Sequence, residues 1–274
     1  MTDLKAAGLL AAEFETLHLS APRDHVVVVQ LHRPDVSNAL NTQMGRDLVR
    51  CFEEVALDPG AIRCIVLTGA GAKAFCAGGD LKERRGMTDE AWTRQHVIFE
   101  RMARAILDCP VPIVGAVNGA AYGGGCEIAA ACDFLYAVET ARFALTEVTL
   151  GIMPGAGGTQ TLARAVGERR AKELILTGRP FSAAEAARWG LVNDVFADTD
   201  LLMEAALSTA AVIARNAPIS VRQAKQSIHR GLQMSLGDGL TFEIEAYNRM
   251  VPTEDRHEGV LAFNEKRRPV FKGR

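Results

Sequence analysis

A chain of 274 residues that is 48% apolar can bury a sizeable core, as one large domain or as one domain with an appendage. Its formal net charge of −2 supplies no field for gathering nucleic acid or an anionic membrane, so an anionic ligand has to be held by local groups. The six cysteines, at 51, 64, 76, 109, 126 and 132, make no C-x-x-C pair and fall mostly in apolar runs, which predicts buried reduced thiols and a reducing, cytoplasmic setting.

Residues 1–21 are rich in Leu and Ala but carry Asp3, Glu13 and Glu15, so neither a targeting peptide nor a membrane span is expected. The β-branched run 26–31 predicts a buried strand, 33–41 a loop, and Asn41 or Thr42 the cap of a helix reaching about Asp58. A second buried strand is expected over 62–68. It is followed by a glycine-bearing corner over 69–82 and by helical sequence that ends before Cys109-Pro110. A third strand over 111–117 runs into a second corner, Gly123-Gly124-Gly125, and then a helix starting near Glu127. Short strands are predicted over 134–138 and 142–148, then a Gly/Pro-rich loop over 150–160 with a helix opening near Thr159. A last edge strand is expected over 191–196. Amphipathic helices at roughly 198–215, 218–231, 234–250 and 254–265 complete the chain. Strands and helices alternating at short spacing indicate an α/β body over 1–197 with a helical part over 198–274.

Several familiar motifs are missing. Gly69-Ala-Gly-Ala-Lys-Ala74 has Ala at the sixth place of a dinucleotide fingerprint and lacks a P-loop ending. There is no Gly-x-Ser-x-Gly and no His-Glu-x-x-His, so a serine hydrolase and a metal site have little support. What remains is two glycine corners and two glutamates. Glycines before a helix leave main-chain N–H groups open to an anion. Glu127 lies on the first turn after the second corner, and Glu147 follows a short strand. Two N–H groups converging on one carbonyl oxygen would favour the charge that develops when a thioester becomes an enolate. Paired carboxylates beside it can divide acid and base work. Taken singly, Glu147 reads better as a solvent-facing acid at a strand end.

Asn118-Gly-x-Ala-x-Gly-Gly-Gly-Cys-Glu127, Cys132-Asp133 and Glu147-x-x-x-Gly151-Ile-x-Pro154-Gly-Ala-Gly-Gly-Thr-Gln160 together resemble the signature of the enoyl-CoA hydratase/isomerase (crotonase) family. Lys73-Ala-Phe-Cys-Ala-Gly-Gly-Asp-Leu-Lys82 and Glu258-Gly-x-x-Ala-Phe-x-Glu-Lys-Arg267 extend the resemblance over nearly the whole chain. It implies an α/β crotonase-like spiral of repeated ββα units and a C-terminal helical region that trimerises, often as a dimer of trimers. By motif position, Gly79 and Gly124 supply the oxyanion N–H groups and Ala77 meets the adenine through its backbone. Lys73 and Lys82 flank the nucleotide part of coenzyme A, and Lys266 of a neighbouring helix approaches its phosphates. Gly78, Asp80, Leu81, Gly123, Gly155 and Phe263 are the further substrate-binding positions carried over. No cofactor or metal is implied, coenzyme A being part of the acyl-CoA thioester substrate.

Both Glu127 and Glu147 are present, as in the family's hydratases, which implies syn hydration of a 2-enoyl thioester with Glu127 as base toward water and Glu147 as acid toward the α-carbon. Two departures stand out: Gly79 where many hydratases have Ala, and Thr146 where many have Pro. Asp80-Leu-Lys-Glu-Arg84 with Met87, the helix at Ala171-Lys-Glu-Leu174 and the C-terminal ending look most like the branch containing methylglutaconyl-CoA hydratases, some linked to RNA; no lysine-rich helix here matches that role. A short branched enoyl-CoA and a straight-chain one are equally admissible. Met87, Trp92, Phe99 and Met102 are candidates for the pocket floor or for plain core. The alternatives left open are a Δ3-Δ2 enoyl-CoA isomerase or another crotonase reaction, and a non-catalytic acyl-CoA or RNA-binding protein.

Overall fold

The structure, a computed structural model, describes residues 8–274, so the first seven residues of the N-terminal reading lie outside it. A short helix α1 (Gly8–Ala11) leads into an antiparallel hairpin of β1 (Leu17–Arg23) and β2 (Val26–Leu31). Helix α2 (Thr42–Leu57) follows, its first turn closed by the Asn41 side chain accepting from the Met44 N–H at 2.9 Å, as the sequence predicts. Then come β3 (Cys64–Gly69), β4 (Ala74–Cys76), α3 (Leu81–Arg84), α4 (Asp89–Leu107), β5 (Ile113–Val117), β6 (Ala120–Tyr122) and α5 (Gly124–Ala130). The next turn of chain is β7 (Phe134–Val138), β8 (Arg142–Ala144), α6 (Gly158–Val166) and α7 (Glu168–Thr177). The chain closes with β9 (Phe181–Ser182), α8 (Ala183–Trp189), β10 (Asp194–Phe196), α9 (Thr199–Arg215), α10 (Pro218–Gly231), α11 (Leu236–Asn248) and α12 (Glu254–Asn264).

Two sheets organise these elements, one in the order β1-β2-β3-β5-β7-β10 and a smaller one in the order β4-β6-β8-β9. From β2 onward each strand of the large sheet lies parallel to the one before and beside it. Between visits the chain passes through the small sheet and a helix, so it winds as a spiral of ββα turns, the crotonase-like fold expected. The first turn lacks a small-sheet strand, and a single parallel bridge, Leu40 to Gly79, stands in its place. Central strands β3 and β5 are buried along their whole length, which explains why they read as continuous apolar runs rather than alternating ones. Helix α9 packs on the large sheet through Leu202, Ala206, Ala210 and Ala214; the four-residue spacing puts small side chains on one face and lets backbone approach backbone.

Four strands differ from the sequence reading. Strand β4 falls inside the first predicted corner and β6 just before the second; three residues without neighbours are too few to show a period. Strand β1 was unread because Pro22 interrupts it, which an edge strand tolerates at the irregularity between Ser20 and Arg23. The strand predicted over 142–148 stops at Ala144, and Glu147–Leu150 is a 3-10 turn. Ala144 ends its pairing by accepting from the Gly123 N–H at 2.8 Å. The Thr149 hydroxyl then bonds the Thr146 carbonyl, and Gly151, at φ 77°, closes the turn.

Candidate active site

The small sheet aligns the candidate groups. Strands β4, β6 and β8 are parallel neighbours, with Cys76 opposite Ala121 and Tyr122 opposite Ala144, so the residues that follow each strand emerge side by side. Those residues are Gly78-Gly79, Gly123-Gly124 and, on the 3-10 turn, Glu147. A ligand held beyond the carboxyl ends of parallel strands is the usual arrangement in α/β proteins.

The two glycine corners meet. A Cβ on Gly124 would lie 4.0 Å from the Gly79 nitrogen, and one on Gly78 would strike the Tyr122 carbonyl oxygen at 2.6 Å. The Gly78 position, at φ 90°, therefore demands glycine twice over, for its backbone angle and for its close neighbour. The bridge to Leu40 uses the Gly78 carbonyl and the Asp80 N–H, which turns the intervening Gly79 N–H away from it. Gly124 opens α5, where an N–H has no intrahelical acceptor. Among the described residues neither of these two N–H groups has a protein partner.

Glu127 is 4% exposed, and its Oε1 accepts from the N–H groups of Ala156 and Gly158, each at 2.8 Å, at the start of α6. Burial raises its carboxyl above the usual range, opposed by the Gly158 and Ala156 N–H groups and by the charge of Arg84. Glu147 has no such support. Burial pushes its carboxyl up to about 7; its own N–H and the Arg84 charge lower it, and the Glu127 charge adds to the rise. Its Oε2 is buried with no hydrogen-bond partner, and its Oε1 would lie 3.1 Å from a Cβ on Gly123. The two acids are thus placed against the glycine corner with different tendencies to hold a proton.

Ala77, Gly78, Gly79, Leu81, Gly123, Gly124, Glu127, Glu147 and Gly155 all line one cavity of about 360 Å³. Other predicted positions do not. Lys73 and Lys82 are exposed outside the lining, and Asp80 is engaged with Arg33 at 3.0 Å and with the first turn of α3. Phe263, 84% exposed, and Lys266 lie at the end of α12, away from the cavity of their own chain. Of the candidates for the floor, Trp92 and Phe99 line the cavity. Met102 is fully buried core, and Met87 is outside the lining. The sequence reading missed Leu40, Arg84, His96, Leu150, Ile152, Met153 and Ala156 as lining residues. Gly158 was legible only as a letter of the 154–160 motif, although its N–H holds Glu127 and a Cβ there would strike the Glu127 side chain at 2.9 Å.

A family model described as enoyl-CoA hydratase/isomerase matches residues 22–274. The 2,3-dehydroadipyl-CoA hydratase of Escherichia coli is 42% identical over 252 residues, covering 92% of this chain and 97% of the relative. The short-chain-enoyl-CoA hydratase of Clostridium acetobutylicum is 41% identical over 243 residues, covering 89% and 92%. The crystal structure of an enoyl-CoA hydratase from Bacillus anthracis superposes with a TM-score of 0.92 at 44% identity, covering 95% of this chain and all of that one.

Proposed function

The chain belongs to the enoyl-CoA hydratase/isomerase family, and on that premise we propose that it adds water across the 2,3 double bond of a 2-enoyl-CoA thioester to give a 3-hydroxyacyl-CoA. One observation carries the reading: two partnerless main-chain N–H groups and two carboxyls of unequal proton affinity face a single cavity. The thioester oxygen sits between the N–H groups of Gly79 and Gly124, where developing negative charge is stabilised; losing one such donor costs about 2.7–4 kcal/mol. Glu127, its Oε1 fixed at α6, takes a proton from water with its other oxygen as the water oxygen bonds to C3. The double-bond electron pair moves to the thioester oxygen. Glu147, which holds its proton near neutrality, then delivers it to C2 as the enolate collapses. An isomerisation needs one shuttling acid and no water, so the second, half-buried carboxyl favours hydration.

The site lies in the α/β body, and we propose that the chain works as a trimer or dimer of trimers through its C-terminal helices. Leu232, Leu236 and Phe263 are 83%, 80% and 84% exposed there, an apolar surface that a lone subunit rarely carries. In such an assembly Phe263 and Lys266 would reach the coenzyme A of a neighbouring chain. The test is turnover of straight and branched 2-enoyl-CoA thioesters, followed as loss of the conjugated enone absorbance. Hydration of at least one short member is expected; no turnover across the panel would reject the reading.

A further inference from the structure

We propose that Arg84 is a docking group for a carboxylate at the far end of the acyl chain, so that the thioesters this cavity prefers are those of dicarboxylic acids. The proposal rests on the acyl-CoA reading of the cavity given above.

Arg84 is half-buried in the cavity wall, and only its Nε has a protein acceptor, Gln95 Oε1 at 2.8 Å. Among the described residues its two Nη groups donate to nothing and pair with no carboxylate. The guanidinium lies instead over the faces of Trp92 and Phe99, at 4.3 and 5.5 Å from the ring centroids. Arg33, comparably enclosed, pairs with Asp80. A charge taken out of water without a counter-ion is costly. Burial accordingly lowers the proton affinity of Arg84, although Glu83, Glu147 and Glu127 act in the other direction.

The position is also built rather than incidental. Gln95 is 3% exposed, and its Nε2 donates to Thr42 Oγ1 and Glu83 Oε2, each at 2.8 Å. Glu83, the acid nearest in sequence, is held in that network by the Thr42 N–H and does not pair with Arg84. The aromatic faces and the buried amide fix the plane of the guanidinium, and the free edge is a fork of N–H donors that matches a carboxylate in two places. Arg84 and both glutamates line the same cavity, so an acyl chain that reaches the acids is within the same enclosure as the fork.

Binding of glutaryl-CoA and pentanoyl-CoA decides the matter. The two are saturated, equal in chain length and immune to hydration, so affinity is read without turnover. The wild-type protein is expected to bind glutaryl-CoA at least about tenfold more tightly. Equal affinity, or tighter pentanoyl-CoA, would overturn the proposal whatever the variants do. In Arg84→Met the affinity ratio should fall to about one, and in Arg84→Lys to an intermediate value, since the charge stays but the fork is lost. An undiminished ratio in Arg84→Met would take the role away from Arg84. If Arg84 served only to bias Glu127 and Glu147, both ligands would respond alike and the ratio would not move. A protein that prefers glutaryl-CoA yet hydrates no enoyl-CoA keeps this site and loses the hydratase reading; one that hydrates crotonyl-CoA without the preference does the reverse.

Discussion

The Glu127 carboxyl accepts two amide protons at 2.8 Å, whereas Glu147 keeps one buried oxygen with no donor, so the same side chain is held in two electrostatic settings within one cavity. Replacing either by Gln keeps shape and hydrogen bonding but removes proton transfer, and kcat on a turned-over enoyl-CoA is expected to fall about 10²–10⁴-fold with KM changed only a few-fold. The pH profile of kcat/KM should fall on the alkaline side as pH rises through about 7, where Glu147 of the free enzyme gives up its proton. It should fall on the acid side where Glu127 gains one. A profile still climbing at pH 9 would contradict the assignment. Stability should carry the mark as well. The folded Glu147 holds its proton up to about 7, against 4.5 for a solvent-exposed carboxyl such as that of the unfolded chain, so the folded state is progressively disfavoured as pH rises across that window and stays so above it. Glu147→Gln removes the penalty. At pH 8 it should gain about 1 kcal/mol, allowing for partial exposure, or about 2–4 °C in Tm; the gain should vanish near pH 4.

At the scale of elements, the site depends on how closely α5 lies against β4. A Cβ on Gly125 would come within 2.1 Å of the Cys76 carbonyl oxygen, and backbone has nowhere to go. Gly125→Ala is therefore expected to prevent folding or to lower Tm by more than 10 °C, a loss beyond about 3 kcal/mol. Gly79 is different: its φ is not positive, and a Cβ would meet only the tip of the Arg84 side chain at 3.2 Å. Gly79→Ala should fold with a stability within about 1 kcal/mol of wild type, the gain from a stiffer unfolded chain being offset by the few tenths of an ångström that the held Arg84 guanidinium must give. These neighbours also mark the limit of sequence reading. Asn41 as a cap, the long helices of 199–264 and both glycine corners were legible because caps, periodicity and glycine runs are local signals. Strands β4 and β6 were not, and neither was the turn that aims Glu147, because pairing across the small sheet sets where β8 ends. Arg84, Gln95 and His96 escaped for the same reason: their place in the wall comes from how α3 and α4 fold over the cavity, which no spacing reveals.

For the whole molecule, one winding rule explains the site. After the first turn, each turn adds strands to both the large and the small sheet, so positions far apart in sequence arrive at neighbouring strand ends. The apolar faces of α10, α11 and α12 face outward from this body, and sedimentation velocity is expected to show three or six chains; a monomer at micromolar concentration would contradict the proposed assembly. The mutual placement of two amides and two acids around an acyl double bond is tested most directly by turnover of crotonyl-CoA in ¹⁸O-labelled water, with Glu127→Gln and Glu147→Gln run beside the wild type. The predicted result is label at the C3 hydroxyl of the wild-type product and at least a hundredfold slower formation in both variants. A product without solvent oxygen at C3, or variants as fast as the wild type, would contradict it.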